Sequence, residues 1–172
     1  MRRIFAIITA IAAMTVAVGT PNAGADEAAS YFQWKNADSK LCMGVAGGRM
    51  VAGTKVIQWT CSATNSDQRW TALPLGDDNG YYLMRNKKDP SKCLAVPGRS
   101  GTPGVQLIIW PCNAANPDQL WNVSYIDVLG YGIYNKYSQL TIGVSGGSEA
   151  NGAPVIQWYP SGAEDQTWQY RA

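Results

Sequence analysis

Few side chains in this sequence can do covalent or proton-transfer chemistry. The 172 residues hold four cysteines and twelve carboxylates but no histidine. Without histidine the commonest general base is missing, and so are the usual Ser-His and Cys-His pairs. Two carboxylates can hydrolyse a glycoside, yet the adjacent Asp77 and Asp78 lie in a Gly/Asn loop and read as solvated turn residues. The glycine-rich stretches Ala46-Gly47-Gly48 and Ser145-Gly146-Gly147 lack the spacing of a phosphate or dinucleotide cradle and read as turns. Cys-x-x-Cys is absent too, which argues against zinc. No catalytic residue, no metal and no cofactor is expected. What does recur is an acid, an amide and an indole: Asp67-Gln68-Arg69-Trp70, Asp118-Gln119-Leu120-Trp121 and Asp165-Gln166-Thr167-Trp168.

The tryptophans of these motifs are 51 and 47 residues apart, a period that implies one supersecondary unit in three copies. The copies run from Phe32 to Trp70, Tyr82 to Trp121 and Tyr131 to Trp168, and share their order of features. Each opens on an aromatic residue and then an asparagine, Asn36, Asn86 or Asn135. Next come Cys42-Met43-Gly44-Val45, Cys93-Leu94-Ala95-Val96 and Thr141-Ile142-Gly143-Val144. After a Gly-rich stretch follow Val56-Ile57-Gln58-Trp59, Leu107-Ile108-Ile109-Trp110 and Val155-Ile156-Gln157-Trp158. These runs are β-branched or aromatic, four to six residues long, and bounded by Gly, Pro, Asn and Asp. That is strand-and-turn chemistry. About four short strands per copy, some twelve in all, predict an all-β protein. Segments 74–80 and 126–130 read as joints between copies. Three copies are too few for a propeller, whereas a closed threefold barrel with a hairpin cap, a β-trefoil, hides every edge.

Of the three ways to pair four cysteines, only the local one respects the repeat. It predicts Cys42–Cys61 and Cys93–Cys112, each spanning 19 residues. The third copy has Thr141 and Pro160 at the matching positions.

The N-terminus reads as a cleaved signal peptide, residues 1–25. Arg2 and Arg3 precede an uncharged apolar run, Ile4 to Val18, and small residues end at Ala23-Gly24-Ala25. The run is about 15 residues, short of the roughly 20 that an uncleaved membrane anchor needs. The mature chain, 26–172, is expected to be secreted, where disulfides persist. It is long enough for one domain with its own core, with repeats at about 31–75, 81–127 and 131–172. Losing Arg2 and Arg3 takes the 14 basic residues to 12, against 12 acids. A chain near neutrality has no electrostatic footprint for phosphate backbones or anionic lipid. Neither nucleic acid nor membrane is expected as a partner, and a monomer is.

The three Gln-x-Trp motifs, the Cys42 and Cys93 segments, the Trp-x-Cys endings at Cys61 and Cys112 and the threefold period resemble the ricin B-type lectin domain, carbohydrate-binding module family 13. The resemblance covers Tyr31 to Tyr170. It implies a β-trefoil whose Gln68, Trp70, Gln119, Trp121, Gln166 and Trp168 are structural core. It also implies one sugar pocket per copy, with Trp59, Trp110 and Trp158 as stacking platforms, since a flat ring matches the C–H face of a pyranose.

At the position where binding copies of that family carry an aspartate, this chain has Gly44, Ala95 and Gly143. A charged acceptor stands instead just before each glutamine, at Asp67, Asp118 and Asp165. Either the carboxylate has moved across the same pocket, or these are turn aspartates that hold their own loop amides. The function expected is a non-catalytic carbohydrate-binding lectin, weak at each site and multivalent, for glycans, polysaccharides or a glycosylated protein. With the chain ending at Ala172, no appended catalytic domain is expected. The alternative is a sugar-inactive trefoil serving as a protein-binding or inhibitor module. A purely structural surface protein is a third reading, with neither pockets nor a partner.

Overall fold

A computed structural model describes residues 30–74 and 80–171. The expected signal peptide and the acidic pair Asp77-Asp78 lie outside the described residues, as does most of the joint at 74–80. The first copy folds as β1 (Gln33–Asn36), β2 (Cys42–Val45), β3 (Val56–Trp59) and β4 (Trp70–Pro74). The second gives β5 (Tyr81–Asn86), β6 (Lys92–Ala95), β7 (Ile108–Pro111) and β8 (Leu120–Asp127). The third gives β9 (Gly130–Asn135), β10 (Thr141–Val144), β11 (Val155–Trp158) and β12 (Trp168–Arg171). The joint expected at 126–130 is the tight end of the β8–β9 hairpin, where Asp127 pairs with Gly130.

Six strands close into a barrel. β1 pairs with β12, β12 with β9, β9 with β8, β8 with β5 and β5 with β4. A bridge between Phe32 and Trp70 completes the ring. The other six form three hairpins, β2–β3, β6–β7 and β10–β11. Bridges Lys55 to Ile108, Ile57 to Pro154 and Gln106 to Ile156 lace these hairpins into a triangular cap. The architecture is the β-trefoil.

The core is symmetric because the copies are. Trp70, Trp121 and Trp168 are fully buried, and each indole Nε1 donates to the carbonyl of Met43, Leu94 or Ile142 at 3.0 Å. A buried indole N–H without a partner would cost about 1–3 kcal/mol, so each copy supplies its own acceptor from the strand after the cysteine position. The two disulfides form as the repeat requires, Cys42–Cys61 and Cys93–Cys112. In the third copy the buried Thr141 hydroxyl donates instead to the Ile133 carbonyl at 3.2 Å.

Candidate functional site

In the cap hairpins, Cys42, Cys93 and Thr141 pair across from Trp59, Trp110 and Trp158. Two residues further along, Gly44, Ala95 and Gly143 pair with Ile57, Ile108 and Ile156. Tryptophan, isoleucine and the small residue therefore belong to one wall. The Gln-x-Trp turn of the same copy supplies the facing wall, with Asp67, Asp118 or Asp165. The three open cavities between these walls measure about 370, 310 and 390 Å³, over Trp59, Trp110 and Trp158 respectively. The indoles are 47, 46 and 44 % exposed, so each leaves a face in contact with solvent.

Each indole is braced by the copy before it in the cycle. A Cβ on Gly53 would lie 3.8 Å from Cζ3 of Trp110. One on Gly104 would lie 3.2 Å from Trp158, and one on Gly152 3.6 Å from Trp59. All three glycines are left-handed, with φ of 87°, 85° and 85°, a conformation in which a side chain is disfavoured. Their amides donate to the carbonyls of Ile109, Gln157 and Gln58 at 2.7–2.8 Å. Buried Gln157 also donates to the carbonyls of Ser100 and Thr102, and buried Gln58 to those of Ser148 and Ala150. The second copy has Ile109 in that place and keeps only the backbone link.

The glutamines hold the opposite wall. Gln68 donates to the Thr60 carbonyl at 2.9 Å and accepts from the Ser62 amide at 2.8 Å. Gln119 makes the same pair of bonds with Pro111 and Asn113, and Gln166 with Tyr159 and Ser161. The six residues read from the sequence as core are all buried.

The repeat asparagines, noted in the sequence only as markers, act between copies. Asn86 Nδ2 donates to the carbonyl of Asp67, Asn135 to that of Asp118 and Asn36 to that of Asp165, at 2.8–3.0 Å. Their Oδ1 atoms accept from the amides two residues on, those of Lys88, Tyr137 and Asp38. One side chain thus fixes the aspartate of one copy and the first turn of the next. That recurrent asparagine, always at the start of a copy, was the available signal. Of the residues two places on, Lys88 lines the Trp59 pocket and brings a positive charge to it.

Asp67 carries its carboxylate over Gly44, where a Cβ would meet Asp67 Oδ2 at 3.3 Å. Asp165 does the same at Gly143, at 3.5 Å. Asp118 is different. Its carboxylate accepts from Arg99 Nε at 3.3 Å, and the residue is only 7 % exposed. Burial holds the Asp165 carboxyl above the ordinary aspartate range; its own backbone amide pulls the other way, and the charge of Asp38 adds to the rise. Among the described residues no three acidic, cysteine or histidine side chains gather where they would hold a metal.

Known structures share the architecture. A designed threefold-symmetric protein, ThreeFoil, superposes with a TM-score of 0.77 at 25% identity, over 83% of this chain and 98% of that one. An exo-β-1,3-galactanase from Clostridium thermocellum gives 0.76 at 25% identity; 82% of this chain matches 30% of the enzyme. The C-terminal half of an earthworm R-type lectin, solved with GalNAc, gives 0.64 at 19% identity, over 82% of this chain and 97% of that one. Among curated proteins none matches this chain in sequence. Residues 30–170 match the model of the ricin-type β-trefoil lectin domain, and the chain belongs to that family.

Proposed function

We propose that this protein is a secreted, non-catalytic lectin that binds carbohydrate weakly through shallow pockets on one rigid body. The observation that carries the reading is the pairing of a half-exposed indole with a carboxylate that no other side chain engages, across one cavity, at Trp59 with Asp67 and at Trp158 with Asp165. Among the described residues neither carboxylate accepts a hydrogen bond from another side chain. A pyranose stacked on the indole would present its hydroxyls to the carboxylate, and a hydrogen bond to a charged acceptor contributes about 1.5–3 kcal/mol. The cavities lie at the small end of ligand pockets, roughly 300–1,000 Å³, which suits one or two sugar rings and a modest affinity per site. Several such sites on one body raise avidity for a polymer or a glycosylated surface without any strong single contact. Lectin and galactanase neighbours support carbohydrate as the ligand class.

The carboxylate at 67 and 165 serves in place of the acceptor that Gly44 and Gly143 cannot supply. The test is a glycan and polysaccharide array probed with the mature chain from Asp26, displayed multivalently. Binding that disappears in Trp59→Ala/Trp158→Ala supports the reading. A blank array with the folded protein overturns it and turns the search to protein partners, for which the small residues at 44, 95 and 143 would then be the reason.

A further inference from the structure

The three pockets differ at one position that decides whether the aspartate is free. The turns after β2, β6 and β10 are Ala46-Gly47-Gly48, Pro97-Gly98-Arg99 and Ser145-Gly146-Gly147. Their last residues, Gly48, Arg99 and Gly147, all have left-handed backbones, with φ of 62°, 52° and 60°. Glycine adopts that conformation freely; an arginine there is strained by about 1–2 kcal/mol. In the first copy a side chain at this position would be directed at the pocket, whereas at Gly147 a Cβ would meet open space. A Cβ on Gly48 would lie 2.7 Å from Lys88 Nζ and 3.5 Å from Asp67 Oδ1. Arg99 has such a side chain, and it lines the cavity over Trp110. Its Nε donates to Asp118 Oδ1 at 3.3 Å and its Nη2 to Asn116 Oδ1 at 2.7 Å. Asn116 is the counterpart of Asn65, which lines the Trp59 pocket, so both polar groups of the middle pocket's outer wall are taken.

We infer that Arg99 withholds the acceptor of the middle pocket from neutral sugars, so that the protein has two working sites, at Trp59 and Trp158, and a third whose cavity is open but whose carboxylate is taken by its own ion pair. This rests on the lectin reading above. To reach Asp118 a sugar must break a charge-assisted hydrogen bond. At Asp165, among the described residues, no cation lines the pocket, and at Asp67 the Lys88 ammonium lines the pocket without closing to an ion pair. Trp110 keeps its exposed face, but stacking without the acceptor leaves a ring with nothing to fix its orientation.

The test has two arms, on the full mature chain. In the first, methyl β-galactoside is titrated while the indole resonances are followed by NMR. Trp59→Ala/Trp158→Ala should lose all detectable binding, and adding Arg99→Gly should restore it at Trp110, at least tenfold above the double variant. Binding that persists in the double variant overturns this role of Arg99, as does an Arg99→Gly triple variant that stays silent while the wild type binds. In the second arm, thermal midpoints are measured for Asp118→Asn, Arg99→Gly and both together, with no sugar present. Coupling in this cycle, the Asp118→Asn shift changing by a degree or more once Arg99 is absent, supports the pair. Equal shifts in both backgrounds overturn it. A wild type that ignores the galactoside counts against the lectin reading for that sugar, while the thermal cycle still decides the fate of Arg99.

Discussion

The Asp67 carboxylate stands over Gly44, with Oδ2 at 3.3 Å from where a Cβ on that glycine would sit, and Gln68 Cγ closer still at 2.9 Å. The small residue and the aspartate are therefore one arrangement. A side chain at 44 would press on a glutamine that is pinned at both ends, and a carboxylate there would also face Asp67 at close range. Gly44→Asp should cost about 1–3 kcal/mol of stability by overpacking, with like-charge repulsion in addition. Gly44→Asp/Asp67→Asn should recover part of that loss, since the second change removes the repulsion. Chemical denaturation of the single and double variants measures the coupling. Strict additivity would mean that the two positions do not share a pocket.

The core tryptophans have a different signature from the pocket ones. Trp121 is fully buried and donates to the Leu94 carbonyl at 3.0 Å. Trp121→Ala should cost roughly 3–5 kcal/mol, the range for emptying an aromatic from a core. Trp59→Ala removes a side chain that is 47 % exposed and should cost much less, while weakening sugar binding. Parallel thermal melts of the two variants separate these roles. A Trp59→Ala melt as low as that of Trp121→Ala would make Trp59 a structural residue.

The fold was legible because periodicity survives folding unchanged. Three Gln-x-Trp motifs and two cysteine pairs in register require three equal units, and units of this length with strand chemistry close as a trefoil. The pockets were legible only in part. Trp59 and Asp67 are in one copy and can be paired on the page. The brace from Gly152 and the anchor from Asn86 come from the other copies, and sequence spacing carries no information on which copy lies beside which. Arg99 was hidden for another reason. In the sequence it is one residue of a polar loop, and only its hydrogen bonds to Asp118 and Asn116 show that its side chain reaches the pocket.

Gly104 makes the most crowded of the three braces, since a Cβ there would approach Cζ3 of Trp158 to 3.2 Å, and its φ of 85° disfavours any side chain. Gly104→Val should destabilise the protein by about 1–3 kcal/mol, from backbone strain and overpacking together. It should also tilt the Trp158 ring and weaken that pocket alone. Gly162 is the control, a left-handed glycine with open space around it, where substitution should carry only the backbone part. NMR of the indole resonances reads the asymmetry: movement of Trp158 with Trp59 unmoved is expected, and equal movement of both would remove the brace from the account.

Asp165 should make binding and stability respond to pH in opposite directions. Burial, chiefly, and the charge of Asp38 raise its pKa from the ordinary 3.8, so the folded protein holds this proton more tightly than the unfolded chain. A raised carboxyl contributes stability that is complete below the unfolded value and is lost as pH rises through the folded one. Asp165→Asn should therefore flatten that part of the stability profile and leave the protein at neutral pH no less stable than the wild type. Sugar binding at Trp158 needs the ionised form. It should weaken as pH falls from neutrality through the raised value, by about 10- to 150-fold if the charged hydrogen bond is worth 1.5–3 kcal/mol, and Asp165→Asn should lose that affinity at every pH. Asp38→Asn removes one cause of the shift and should move the binding transition to lower pH. Thermal melts across pH 3–7 paired with titrations of Trp59→Ala, which leaves the Trp158 site to be read, follow both curves. A binding curve at Trp158 that ignores pH down to ordinary aspartate values would show that its ligand does not use the Asp165 carboxylate.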